Sequence, residues 1–141
     1  HGVAVTAVSP LYRSAPVPAS DQPWFVNGVA RVAWAGDAAG LLARLHAVAA
    51  DFGRVRARRW DARILDLDLL ARGADIIGWH EGRPAPGARL IVPHPRLHER
   101  LFVLRPLADL APDWRHPVLG RTAAELLAAL PAGQQIEAMA E

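Results

Sequence analysis

Asp66 and Asp68 stand two residues apart in Arg63-Ile64-Leu65-Asp66-Leu67-Asp68-Leu69-Leu70, with Leu65, Leu67 and Leu69 filling the alternate places. A period of two predicts a β-strand, and on a strand residues i and i+2 share a face. The spacing therefore predicts two carboxylates side by side on one face and leucines entering a core on the other. Like charges held this close each resist ionisation unless a cation sits between them. Oxygen-only donors suit a hard ion such as Mg²⁺, which takes one or two carboxylates and completes its shell with phosphates and water. Upstream lie Arg54, Arg56, Arg58, Arg59 and Arg63. Carboxylates to hold a metal, next to guanidinium forks that neutralise developing charge, are the parts that phosphoryl transfer needs. An isolated Asp-x-Asp on a strand is most often a solvated sheet face. Such faces mix signs, whereas here the arginines are segregated ahead of the carboxylates.

The composition bounds the rest. A chain of 141 residues suits one domain, spanning 1–141, and 52% hydrophobic residues are enough to build a core. There is no cysteine, which excludes disulfides and thiolate metal sites. All 16 basic side chains are arginine, as expected of coding bias in so alanine-rich a chain, and a net charge of +2 does not by itself point to nucleic acid. No apolar run approaches the roughly 18–20 residues that cross a bilayer, and no signal peptide is evident, so a cytoplasmic protein is expected, with no membrane partner. His1 rather than methionine opens the chain, which reads as incomplete or processed.

Several elements must position the aspartates. Gly2 to Val8 reads as a strand, and Leu11 to Pro18 as extended chain whose prolines forbid a central helix. Trp24 to Trp34 alternates as one strand, with Phe25, Asn27, Val29 and Arg31 on one face. Asp37 is placed to cap a helix from Ala38 to about Phe52, with Leu41, Leu42, Leu45, Val48, Ala49 and Phe52 as its apolar stripe and Gly53 as its stop. Arg54 to Arg63 is then expected as a loop, a common home for mobile catalytic groups. Asp75 to Gly78 reads as a short return strand, Trp79 to Arg89 as a surface loop, and Leu90 to Pro95 as a proline-broken strand. Arg96 to Arg100 suits one helical turn, and Leu101 to Pro112 an apolar segment packed inward. Thr122 with Glu125 forms a capping box for a last helix, Ala123 to Leu130, and the tail after Pro131 is expected to fray.

Four motifs then converge: Ser9-Pro10-Leu11-Tyr12-Arg13-Ser14-Ala15-Pro16-Val17; Asp21-Gln22-Pro23-Trp24-Phe25-Val26-Asn27; Gly53-Arg54-Val55-Arg56 with Arg63-Ile64-Leu65-Asp66-Leu67-Asp68; and Pro93-His94-Pro95-Arg96-Leu97-His98-Glu99-Arg100-Leu101-Phe102-Val103-Leu104-Arg105-Pro106-Leu107. Each is weak alone. In this order and spacing they resemble the 6-hydroxymethyl-7,8-dihydropterin pyrophosphokinase (HPPK) family of folate biosynthesis, from Val3 to about Leu130. The resemblance implies a ferredoxin-like α+β fold, an antiparallel sheet with helices packed on it. It also implies transfer of pyrophosphate from ATP to the hydroxymethyl group of the dihydropterin, with two Mg²⁺ ions. On that resemblance Asp66 and Asp68 are the metal ligands, and Arg54 and Arg63 grip the phosphates as catalytic arginines. Trp60, Leu69, Arg89, Ile91, His94 and Arg100 fall at ATP-binding positions, Trp60 on the closing catalytic loop and Leu69 with Ile91 at the adenine. Phe25 and Phe102 sandwich the pterin, Asn27 reads its polar edge, and the backbone around Ser14, Pro16 and Val17 meets it.

The family pattern also opens with a strand, a Gly-Ser-Asn-Leu-Gly turn and a helix that this chain is expected to lack. A monomer is expected unless another chain supplies that strand. Ser14, Pro18 and Ala49 replace the usual threonine, glycine and glutamate. Two other readings compete. One is a remnant that binds nucleotide or pterin without turnover. The other is an RNA-binding ferredoxin-like module, disfavoured because its basic cluster would sit beside carboxylates that repel a phosphate backbone.

Overall fold

The computed structural model describes residues 2–15, 24–57 and 65–139, with side chains omitted for 54–57. Ser9 and Pro10 organise its first sheets. β1 (Ala4–Val8) and β2 (Tyr12–Ser14) flank them, and across from them run β3 (Phe25–Asn27) and β4 (Ala30–Ala33). The single strand expected over Trp24–Trp34 is thus two. β3 pairs antiparallel with β2, and β4 with β1. Pro10 has no N–H to offer a ladder. Ser9 bridges the break instead: its N–H donates to the Val29 carbonyl at 2.8 Å, and its Oγ accepts from the Val29 N–H at 2.9 Å. Gly28 lies at this crossing, where a Cβ would come within 2.8 Å of Leu11 Cδ2. In β1, Thr6 is the extra residue of a bulge between Val5 and Ala7, and its Oγ1 donates to the Arg31 carbonyl.

The tail after Pro131 was expected to fray; instead Ile136–Ala138 forms β7. It pairs antiparallel with β2, with Ser14 facing Ile136, so β2 is central in a β3-β2-β7 sheet. An open strand edge is a row of unpaired donors and acceptors, and β7 covers the one that β3 leaves free.

α1 (Ala38–Ala57) starts as predicted: the Gly40 N–H donates to Asp37 Oδ1 at 2.8 Å. It does not stop at Gly53. A helical glycine costs only about 1 kcal/mol relative to alanine, and Arg54, Arg56 and Ala57 after it are good helix formers. Arg54 therefore lies in the last turn of α1 rather than in a loop. Residues 65–70 have no ladder partner among the described residues, so the expected strand is not formed. Its predicted faces nevertheless hold: Asp66 and Asp68 are exposed, while Leu65, Leu67, Leu69 and Leu70 are half-buried.

The return strand reduces to one bridge, Ile77 to Val92, with both backbone bonds at 2.8 Å. Gly78 (φ +75°) follows it, where a Cβ would lie 2.2 Å from the Leu90 carbonyl. The expected surface loop holds a small hairpin, β5 (Trp79–His80) and β6 (Arg83–Pro84), turned by Glu81 and Gly82, both at positive φ. A 3₁₀ turn (Leu97–Glu99) leads into α2 (Leu101–Leu110), and α3 (Ala123–Ala128) packs on α2. The capping box is formed: Glu125 N–H donates to Thr122 Oγ1 at 3.1 Å, and Thr122 N–H to Glu125 Oε1 at 2.9 Å. The core is Leu97, Leu104, Leu107, Ala108, Ala123 and Leu126, with Val29 and Leu70 packed against it. Leu70 thereby anchors the aspartate run to the core. Among the described residues the result is a mixed α/β fold of antiparallel sheets and three helices.

Candidate active site

The aspartate run forms one wall of a cavity of about 370 Å³. Leu67, Asp68, Leu69 and Leu70 line it, facing β4, Leu41 and Leu45 of α1, and Leu107 and Leu110 of α2. The run is held at its end by His94, whose N–H donates to the Leu70 carbonyl at 2.8 Å. His94 Nδ1 accepts from the Arg96 N–H at 3.1 Å. Burial lowers the His94 pKa from its ordinary value, and the positive charge of Arg100 lowers it further, against an opposing pull from Asp68. His94 therefore favours its neutral form, within electrostatic reach of the exposed Asp68 carboxylate and the Arg100 guanidinium. That combination can donate to phosphate or sugar oxygens without adding net charge.

Arg100 is the N-cap residue of α2, extended at φ −112°, ψ 113°. Its guanidinium carbon lies 5.5 Å from the centroid of the Phe102 ring, a cation–π distance. Phe102 occupies the first turn of α2 and is half-buried. Pro106 one turn later has no N–H, so the Phe102 carbonyl lacks its usual helical donor.

β2 and β3 carry the opposite group. Ser14 is buried and pairs with Phe25, which is 55% exposed, and Asn27 is half-buried at the end of β3. A phenylalanine left this open on a strand offers a flat apolar surface that the fold itself does not use. Phe25 and Phe102 make no ring contact with each other among the described residues. The sheet is pinned to α2 through Asp109, which accepts from Tyr12 Oη and from Arg105 Nη2, the latter at 2.9 Å. The hydrogen bond to Asp109 raises the Tyr12 pKa, with burial adding to it. Arg31 Nη2 also donates to the Leu110 carbonyl at 3.0 Å.

The structure thus brings together Asp68, His94, Arg100 and Phe102, and separately Ser14, Phe25 and Asn27. Leu69 and Ile91 are half-buried on neighbouring segments, and Arg89 is exposed. Arg54 is placed by its backbone alone. Pro16, Val17, Trp60 and Arg63 lie outside the described residues.

Sequence reasoning missed a set of supports. Trp79 Nε1 donates to the Pro93 carbonyl at 3.0 Å, just ahead of His94, and Trp114 Nε1 to the Gly73 carbonyl at 3.1 Å, just past the aspartate run. Both rings meet His116, with centroids 5.9 and 5.7 Å away, and His98 meets it at 6.1 Å. His116 is fully buried. Its Nδ1 accepts from the N–H groups of Val118 and Leu119, which assigns the proton of the neutral ring to Nε2. Burial, and secondarily His98, push its pKa down to about 4. Trp79 sits in a segment that reads as surface, and no local pattern announces that it clamps a carbonyl.

Asp66 and Asp68 fit a hard divalent ion. They are paired carboxylates facing solvent, and no third histidine, cysteine or acidic side chain joins them in a group among the described residues. Such a pair leaves most of an octahedral shell to water and phosphate oxygens.

Comparison with known proteins adds a family. Residues 1–112 match the model of the 7,8-dihydro-6-hydroxymethylpterin-pyrophosphokinase (HPPK) family. A 2-amino-4-hydroxy-6-hydroxymethyldihydropteridine pyrophosphokinase of Pseudomonas aeruginosa is 48% identical over 127 residues, covering 90% of this chain and 73% of that one. Its namesake from Methylorubrum extorquens is 40% identical over 133 residues, covering 94% of this chain and 78% of the relative. The folic acid synthesis protein fol1 of Schizosaccharomyces pombe is 34% identical over 131 residues, 93% of this chain but 17% of that longer protein. With its family model matched over most of its length and paired carboxylates set beside a neutral histidine and an arginine, the chain belongs to the HPPK family.

Proposed function

We infer that this chain transfers the terminal pyrophosphoryl group of ATP to the hydroxymethyl oxygen of 6-hydroxymethyl-7,8-dihydropterin. The pterin oxygen forms a bond to the β-phosphorus, the bond from that phosphorus to the α-phosphate oxygen breaks, AMP leaves, and the hydroxyl proton passes to solvent. The observation that carries the reading is family membership, supported by His94 lying within electrostatic reach of both Asp68 and Arg100.

Asp66 and Asp68 would hold two Mg²⁺ ions, which when bound polarise the phosphoryl oxygens. His94 and Arg100, with Arg89, bind the triphosphate and sugar, and Leu69 with Ile91 flank the adenine. Phe25 and Phe102 stack on the pterin, Asn27 reads its edge, and Ser14, Pro16 and Val17 line its backbone side. Arg54 and Arg63 neutralise charge on the transferring group, and Trp60 closes over it. No described side chain is placed as a general base, and a loose phosphoryl transfer depends mainly on positioning and charge. A cytoplasmic monomer fits the reading.

The test is AMP release from ATP and Mg²⁺ by this chain, with and without 6-hydroxymethyl-7,8-dihydropterin. Pterin-dependent AMP is expected. Absence of AMP, with heat still evolved on titrating a non-hydrolysable ATP analogue, would replace the enzyme by a nucleotide-binding remnant.

A further inference from the structure

Arg100 has no side-chain cap of its own helix to rely on, yet the backbone on both sides of it is held. The Leu101 N–H donates to Gln134 Oε1 at 2.9 Å, and Gln134 Nε2 donates to the Glu99 carbonyl at 2.9 Å. One side chain thus spans Arg100, satisfying the last carbonyl of the 3₁₀ turn and a first-turn donor of α2 that would otherwise have no partner. Gln134 is itself fixed by the strand that follows it. The Ala15 N–H donates to the Gln135 carbonyl at 3.3 Å, and Ile136 pairs with Ser14. The amide therefore arrives on the edge of the same sheet that carries Phe25 and Asn27.

We propose that Gln134 is a positioning residue for ATP: it fixes the backbone on either side of Arg100 so that the guanidinium meets the triphosphate. The proposal rests on the reading of Arg100 as a nucleotide ligand. Its action is indirect, since Gln134 bonds only backbone atoms. A glutamine far from the binding motifs thereby enters the nucleotide site through the C-terminal strand. Gln134 is half-buried at the surface, so removing its amide leaves the core of α2 and α3 untouched.

A double-mutant cycle on the full chain tests it, using Gln134→Met, Arg100→Ala and the pair. The readouts are KM for ATP, kcat, the Kd of a non-hydrolysable ATP analogue and the Kd of the pterin. Loss of two backbone bonds should raise KM and Kd for the nucleotide roughly five- to tenfold, with kcat and pterin Kd changed less than about twofold. In the Arg100→Ala background the same substitution should add almost nothing, because the residue it positions is gone. A merely structural glutamine would give equal losses in both backgrounds, and that result overturns the proposal. So does an unchanged nucleotide affinity in folded Gln134→Met. If instead Arg100→Ala leaves nucleotide affinity intact, the assignment of Arg100 fails and takes the proposal with it. Melting temperatures of all three variants separate these outcomes from unfolding.

Discussion

The α2–α3 side and the β2–β3 face of this molecule treat apolar side chains in opposite ways. On the first, Leu97, Leu104 and Ala123 are fully buried, a capping box closes α3, and even a histidine is sealed among aromatic rings. On the second, Phe25 and Val26 are more than half exposed on strands of three residues. The lesson is a division of labour. Burial makes stability, about 1.5–3 kcal/mol for each large apolar side chain taken from water, so the helical side holds the fold. The groups with unspent binding capacity, Asp66, Asp68 and Phe25, are exposed, where the fold gains little from them.

That contrast is sharpest in its extremes. Asp68→Ala should cut pterin-dependent AMP formation by roughly 10²–10³-fold, the loss of several kcal/mol of charge stabilisation, while urea unfolding stays within about 0.5 kcal/mol. Near-normal turnover would remove Asp68 from the metal site. Leu104→Ala should do the reverse. Its cavity should cost about 2–5 kcal/mol in urea unfolding, with KM for ATP little changed in the fraction that remains folded. A loss below 1 kcal/mol would mean that the helical side is not the anchor.

Acid offers a subtler probe. The His116 pKa lies at about 4 in the fold against an ordinary 6.5. Between those values the unfolded chain takes up a proton that the folded one refuses. This contribution to stability is complete above pH 6.5, declines as the pH falls toward 4, and is flat below. The span corresponds to about 3 kcal/mol. His94 is shifted the same way. Comparing urea midpoints at pH 7.5 and 4.5 for the wild type and His116→Phe checks the assignment: the wild type should lose more. Equal losses would place the acid sensitivity elsewhere. The smallest effect belongs to the cap. Thr122→Ala should cost about 1 kcal/mol, read by thermal melting, with turnover at low temperature unchanged.

What the sequence made legible was local. Asp37 and the Thr122–Glu125 pair satisfy donors within one turn of themselves, so their types and spacing carry the information. The alternation of Leu65, Leu67 and Leu69 with Asp66 and Asp68 foretold which face each would take, because burial follows period. It did not foretell the missing ladder, since pairing depends on a neighbour elsewhere in the chain. Gly53 misled for a related reason: a glycine stops a helix only where the next turn finds a better conformation. The break at Gly28, the clamp of Trp79 on Pro93 and the strand at Ile136 all depend on partners distant in sequence. In the site, Asp68, His94 and Arg100 were named from motifs and are found together, whereas the supports behind them were not named at all.

The pairing of β2 with β7 also sets an order on the ribosome. Ser14 leaves the exit tunnel well ahead of its partner Ile136, with α1, α2 and α3 made in between. Until then β2 has only β3 beside it, and its other edge is a bare template for a neighbouring nascent chain. The sheet that carries Phe25 and Asn27 is therefore completed only after the helices between its strands have been made. The short three-residue length of β2 limits how firmly that waiting edge can pair with the wrong partner.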